Sequence, residues 1–347
     1  MTKRRFKSTF ADYMEKYIES RKNLGFQEHS YRRTISLFDE FISIHYPNCD
    51  YLSKDVFDSW LETMKNNKRT TRYSKFCVVN SFCRYLNHIG VPCYLPRLPR
   101  HGNSDFVPFV FTREQMNGIF TFMDNLRMKQ HNGDCHYFPL PTFMRTLYGT
   151  GMRFSEAASL KNRNVDLVNR KITLEITKNR QHRMIPINDS LFQVLSQYVE
   201  AKSRITRLKH KDADDLFFVS VLGGDMKSAT VHHYFRRALD ACGIKRCPGR
   251  IGPRIHDLRH TFAVHSIMQQ VNNGVDLYCA LPILSIFLGH KDFRDTETYV
   301  RLTAEMYPDI MRKQKELVTD LFPTLFDNEN RKKLRTLSVH ILHEIPV

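Results

Sequence analysis

His256 and Arg259 stand three residues apart in the stretch His256-Asp257-Leu258-Arg259-His260-Thr261. On a helix that spacing sets the imidazole and the guanidinium on one face, about a turn apart. Histidine exchanges protons near neutral pH, and arginine presents a planar fork of donors that matches phosphate oxygens. The pair reads as half of a phosphoryl-transfer site. Such a site also needs a nucleophile, further positive charge around the phosphate and a proton path to the leaving oxygen. Four more residues along the chain have the right types: Arg153, where a glycine pair interrupts a helix; Lys178, on a basic turn; His290, directly after Gly289; and Tyr299, nine residues later.

The partner of such a site is suggested by charge. With 53 Lys and Arg against 36 Asp and Glu in 347 residues, the chain carries a net charge of +17. That excess favours a polyanion, nucleic acid first, although a merely soluble basic protein has the same composition. No G-x-x-x-x-G-K-[ST] loop is present, so nucleotide triphosphate chemistry is not expected. His256 and His260 are four apart, a spacing that also suits zinc. Asp257, however, occupies the place of the glutamate in an H-E-x-x-H site, so neither metal nor cofactor is expected. The eight cysteines, Cys49, Cys77, Cys83, Cys93, Cys135, Cys242, Cys247 and Cys279, contain no C-x-x-C pair and read as reduced thiols of a cytoplasmic protein. The basic start lacks the apolar core of a signal peptide. The longest apolar run, 277–288, is too short to cross a bilayer and contains Pro282.

The elements that must hold these residues follow from periodicity, which predicts a mainly α fold with a small β-sheet (α+β). Residues 8–90 predict four amphipathic helices: Phe10, Tyr13, Met14, Tyr17 and Ile18; Leu37, Phe38, Phe41 and Ile42; Val56, Trp60 and Met64; and Phe76, Val79, Phe82, Tyr85 and Leu86. Together they form a helical bundle. Lys65, Lys68, Arg69, Arg72 and Lys75 give one segment of it a phosphate-binding character; a solvated helix end is the plain alternative. Residues 91–111, with Pro92, Pro96, Pro99, Gly102 and Pro108 among basic side chains, predict an extended linker. A second domain over 112–302 opens with Thr112 as an N-cap and Gln115 three residues on. Two short strands, 171–177 and 184–187, flank the basic turn 178–183, in which Arg180 and Arg183 join Lys178 as candidate DNA contacts. Helices are expected over 191–199, 230–242 and 256–271, with only a short apolar turn at 284–288. Residues 303–347 predict a helical tail.

In order, these residues resemble the tyrosine recombinases of the phage-integrase type. Thr150-Gly151-Met152-Arg153-Phe154-Ser155-Glu156 is similar to that family's first arginine box, and His256-Asp257-Leu258-Arg259-His260-Thr261-Phe262-Ala263 to its His-x-x-Arg box. Leu288-Gly289-His290 with Tyr299 resembles its third box and nucleophile, and Lys178 falls where the family carries a lysine on a hairpin turn. Each box alone is a modest signal; the ordered set is a strong one. The resemblance is strong over about 110–302 and weaker over 8–90, which looks like the family's SAM-like core-binding domain.

The resemblance implies a site-specific recombinase acting on double-stranded DNA, for integration, excision or transposition of a mobile element. Tyr299 would form a 3′-phosphotyrosyl bond, and Tyr278 and Tyr307 lack its distance from His290. Arg153 and Arg259 would clamp the phosphate, His256 would assist proton transfer, His290 would hydrogen-bond the phosphate, Lys178 would protonate the leaving 5′-oxygen, and Glu156 would support the site. His260, Phe262 and His265 read as packing residues. The family works as a homo-tetramer, a dimer on each recombination site, and accessory recombinases are further candidate partners. The tail could pack on a neighbouring protomer or fold back on its own domain. The rival reading is a type IB topoisomerase, which uses the same constellation to relax supercoils.

Overall fold

The computed structural model describes residues 6–26, 28–102, 107–129, 138–175, 182–205, 212–220, 223–245, 252–290 and 294–307. The chain divides into two compact units, Met1–Phe106 and Val107–Val347.

The first unit is built from α1 (Ala11–Asn23), α2 (Glu28–His45), α3 (Lys54–Thr63) and α4 (Arg69–His88). Apolar residues at helical spacing form one core: Met14, Tyr17 and Ile18 from α1, Ile35, Phe38 and Ile42 from α2, Val56, Phe57 and Trp60 from α3, and Phe76, Val79, Phe82 and Leu86 from α4. Each aromatic or aliphatic side chain so buried contributes about 1.5–3 kcal/mol. Buried Asp39 ties the N-terminal segment to α2 by accepting from the main-chain N–H of Lys7 and Ser8, both at 2.9 Å. Residues 91–102, read as linker, are fastened to this unit. Cys93 N–H donates to Asn87 Oδ1 at 2.9 Å, Tyr94 N–H to the Leu52 carbonyl at 2.9 Å, and Asn80 Nδ2 to the Pro96 carbonyl at 2.7 Å. Proline spacing signalled an extended path but not these side-chain amide anchors.

The second unit holds the remaining elements. Its first helix, α5 (Arg113–Lys129), starts at the expected cap. Thr112 Oγ1 accepts from Gln115 N–H at 3.2 Å, and Gln115 Oε1 accepts from Thr112 N–H at 3.0 Å. Helix α6 (Leu140–Thr150) is buried almost all round, as a helix at the centre of a domain must be. After the short α7 (Phe154–Ala158), β1 (Val165–Asp166), β2 (Lys171–Leu174) and β3 (Arg183–Pro186) form an antiparallel sheet in the order β1-β2-β3, with Ile172 opposite Ile185. Helices α8 (Asp189–Arg204), α9 (Ser228–Ala241), α10 (Asp257–Asn272), α11 (Leu277–Leu288) and α12 (Arg294–Met306) complete the unit. The fold is mainly α with a small sheet, as periodicity predicted.

Two elements differ from the reading. Two-residue β1 is too short to leave a periodic signal. Helix α11 runs through Pro282, where only a short turn was expected. A proline normally breaks a helix interior. Here Leu277, Ala280, Leu281, Leu284 and Leu288 are all buried while Pro282 is exposed, so packing of one face holds the helix together. Among the described residues no helix is long and apolar enough to cross a membrane.

Candidate active site

The site begins where α6 stops. Gly151 adopts φ +60°, and its N–H donates to the Leu147 carbonyl at 3.0 Å. Only glycine fits there. A Cβ would lie 2.5 Å from Phe262 Cδ1 and 2.8 Å from Leu288 Cδ2. The left-handed step turns the chain so that Arg153, in extended conformation, caps α7. Glu156 reaches back. Its Oε2 accepts from Arg153 N–H at 2.9 Å, and its Oε1 from Arg153 Nη1 at 2.7 Å. Burial pushes the Glu156 carboxyl pKa up, but hydrogen bonds and charge from Arg183 and Arg153 outweigh this and hold it below the usual carboxylate range.

Arg259 lies on the first turn of α10 and is buried. Its Nη1 donates to the Gly151 carbonyl at 2.8 Å and its Nη2 to the Leu288 carbonyl at 2.7 Å. Arg153 Nη2 approaches the next carbonyl, that of Gly289, at 3.5 Å. Two guanidinium groups from distant parts of the chain are thus fixed by three carbonyls at the ends of α6 and α11. Burial, then the charge of Arg153, lowers the Arg259 pKa to about 10, which still leaves it a cation at neutral pH.

Two histidines meet Tyr299, and a third meets one of them. Tyr299, on α12, is buried in an apolar cluster with Leu284, Leu288 and Leu302. Its hydroxyl lies 3.1 Å from His260 Nδ1, and its ring stacks on His290 with centroids 6.0 Å apart and planes at 18°. His290 Nδ1 is held 2.8 Å from Thr296 Oγ1. His256 caps α10, and its ring meets His260 edge-on at 5.0 Å. All three imidazoles are neutral at pH 7. Partial burial and then Arg259, Arg254 and Arg153 push His256 down to about 4. Burial, Arg259, Arg153 and Arg183 push His290 to about 4, and burial, His256, Arg254 and Arg259 push His260 to about 3. His256 is an exposed residue, so solvent screens part of this shift. An arriving phosphate would offset that positive field and raise all three values.

The arrangement can bind an anion between Arg153 and Arg259 and present a phenol to it, with neutral imidazoles able to take or pass a proton. It brings together Arg153, Glu156, His256, Arg259, His290 and Tyr299. Lys178 and Arg180 lie outside the described residues. Lys65, Lys68 and Arg69 are exposed and Arg72 and Lys75 half-buried in the first unit. Arg183 departs from the reading as a DNA contact on the turn. It is the first residue of β3, buried, with Nη2 2.7 Å from Glu156 Oε2. Strand alternation carries the signal, since Arg183 shares its face with buried Ile185. His260 also departs from its packing role by meeting the Tyr299 hydroxyl. Its position one turn after His256, on the same helix face, was the available clue.

Comparisons with known proteins show the family of the chain. The sequence pattern of the phage integrase family matches residues 110–306, more than half of the chain. The integrase/recombinase y4rB of Sinorhizobium fredii is 26% identical over 316 residues, covering 88% of this chain and 97% of its own. The tyrosine recombinase XerC of Pediococcus pentosaceus is 26% identical over 300 residues, covering 84% of this chain and 92% of its own. Among solved structures, the XerH site-specific recombinase in a post-cleavage complex with a palindromic difH substrate aligns with a TM-score of 0.61 at 16% identity. That alignment covers 85% of this chain and 82% of the other, a likeness of fold. The chain belongs to the phage integrase family and is a tyrosine-type site-specific recombinase.

Proposed function

We propose that this recombinase cuts and rejoins double-stranded DNA through Tyr299, in the service of a mobile element. The Tyr299 oxygen attacks phosphorus, a 3′-phosphotyrosyl bond forms, and the bond to the 5′-oxygen breaks. One phosphodiester is exchanged for another, so the energy for rejoining is stored without a nucleotide. A free tyrosine has a pKa near 10, so the Tyr299 phenol must lose its proton to a neighbour. The 3.1 Å approach of His260 Nδ1 makes that imidazole the immediate acceptor, with His256 beside it to pass the proton on. Arg153 and Arg259 neutralise charge that grows on the non-bridging oxygens, His290 hydrogen-bonds the phosphate, and Lys178 gives a proton to the leaving 5′-oxygen. The basic residues of the first unit, Lys65 to Lys75, contact the DNA backbone. The working assembly is a homo-tetramer on two duplexes, with accessory recombinases as further partners.

The observation that carries this reading is the anchoring of Arg153 and Arg259 to the carbonyls of Gly151, Leu288 and Gly289, beside the Tyr299 hydroxyl. The test is Tyr299→Phe. Denaturation-resistant protein–DNA adducts on a duplex selected from a random-sequence pool should vanish while binding to that duplex persists. Adduct formation by the phenylalanine variant would remove Tyr299 as nucleophile. Relaxation of plasmids lacking any selected site would favour a topoisomerase instead.

A further inference from the structure

Arg183 has no task in the chemistry above, yet it is built into the site. Its side chain is 7% exposed and that of Glu156 is 4%. Nη2 reaches Glu156 Oε2 at 2.7 Å and Nη1 reaches Oε1 at 3.2 Å. The same two oxygens accept from Arg153, Oε1 from Nη1 and Oε2 from the main chain. Each carboxylate oxygen therefore receives two donors, which fills its accepting capacity. On its other side Arg183 lies against Gly289. A Cβ on that glycine, which has φ +66°, would stand 2.7 Å from Arg183 Nη1. One side chain thus touches both the carboxylate that holds Arg153 and the glycine whose carbonyl Arg153 approaches.

A stability role alone explains this poorly. Hydrophobic residues of similar volume often replace a buried ion pair without loss, and Arg183 Nε is buried with no partner among the described residues. The charge pattern suggests another role. The groups facing Glu156 are Arg153, Arg183, Arg259 and His256. Without Arg183, a buried carboxylate would draw Arg153 into a two-armed pair and turn its donors away from a phosphate. With Arg183 closing one side, Arg153 meets the carboxylate through one arm and keeps Nη2 and Nε for other acceptors.

We infer that Arg183 is a positioning residue for strand cleavage: by fixing Glu156 it fixes the direction in which Arg153 presents its guanidinium to the scissile phosphate. The inference rests on the recombinase chemistry proposed above. It is tested in the full chain with Arg183→Met, Arg183→Lys and the double variant Arg183→Met/Glu156→Gln. Three quantities are measured on a selected, nicked duplex that traps the adduct: single-turnover cleavage rate, DNA affinity, and the pH dependence of the rate. Arg183→Met should slow cleavage about 10- to 100-fold and leave affinity within about twofold, because the displaced group acts in the transition state. Its acid limb should move toward neutral pH, because Glu156 loses the cation that most lowers its pKa and the rate then falls as that carboxyl protonates. Arg183→Lys should keep the limb in place and recover part of the rate. The double variant should be no slower than the slower single variant, since the carboxylate that misdirects Arg153 is gone.

Unaltered cleavage in both single variants would overturn the inference. So would a rate loss matched by equal loss of affinity with the acid limb unmoved. Should Arg183→Met fail to fold, Arg183→Lys decides: full wild-type rate overturns the role, and slower cleavage at unchanged affinity supports it. A chain that forms no Tyr299–DNA adduct even when unaltered overturns the recombinase chemistry and this inference with it. An adduct indifferent to Arg183 overturns this inference alone.

Discussion

Gly151→Ala tests the bend on which the site is built. Two costs are separable in the structure. The first is conformational: an L-residue at φ +60° loses about 1–2 kcal/mol. The second is steric. The new methyl would stand 2.5 Å from Phe262 and 2.8 Å from Leu288. Neither can simply swing away, because Phe262 stacks on Phe287 with centroids 5.3 Å apart and Leu288 is fully buried. Overpacking of that kind costs about 1–3 kcal/mol. The sum is about 2–5 kcal/mol, which for a unit of this size lowers the melting temperature by roughly 4–20 °C. Gly274→Ala supplies the control. It has φ +84°, but a methyl added there would meet nothing within 4 Å, so only the first cost applies. The assay is thermal unfolding of both variants by circular dichroism, followed by adduct formation at a temperature where each is folded. Because the Gly151 carbonyl accepts from Arg259, its variant should also lose cleavage by about 100-fold, whereas Gly274→Ala should retain it. Equal melting losses for the two, or a Gly151→Ala protein that cleaves normally, would refute the reasoning.

Further outcomes follow from local chemistry. Acidification should destabilise the second unit as pH falls from 6.5 toward 4. His256, His260 and His290 are depressed to about 4, 3 and 4, and burial lowers His265 as well, so the unfolded chain takes up protons that the folded chain refuses. Buried Asp257, raised by desolvation, works in the opposite direction but is one group against four. Urea midpoints at pH 7 and pH 5 check this, and an unchanged midpoint would contradict it. Bound DNA should shrink the difference, since phosphate offsets the charge of the arginines around the imidazoles. Thr112→Ala should cost about 1 kcal/mol by removing the acceptor for the Gln115 N–H, measured as a lower urea midpoint with cleavage chemistry intact.

The sequence by itself determined a good deal about this protein. Apolar spacing located the helices of the first unit and most of those of the second, because a helix must turn one stripe inward every 3.6 residues whatever surrounds it. The Thr112/Gln115 cap is local chemistry and was legible for that reason. Types and order of Arg153, Lys178, His256, Arg259, His290 and Tyr299 pointed to phosphoryl transfer before any fold was known, and Glu156 came with the family resemblance. Tertiary structure decided what depends on contacts distant in sequence. Packing along one face carried α11 through Pro282, against local propensity. Arg183 turned inward because β3 pairs with β2 and Glu156 stands beneath it, and His260 met Tyr299 because α12 packs across α10. Amides of Asn80 and Asn87 fastened the proline-rich segment to the first unit. In each case the partner lies outside the span that local periodicity can read, and its identity is set only when the chain closes on itself.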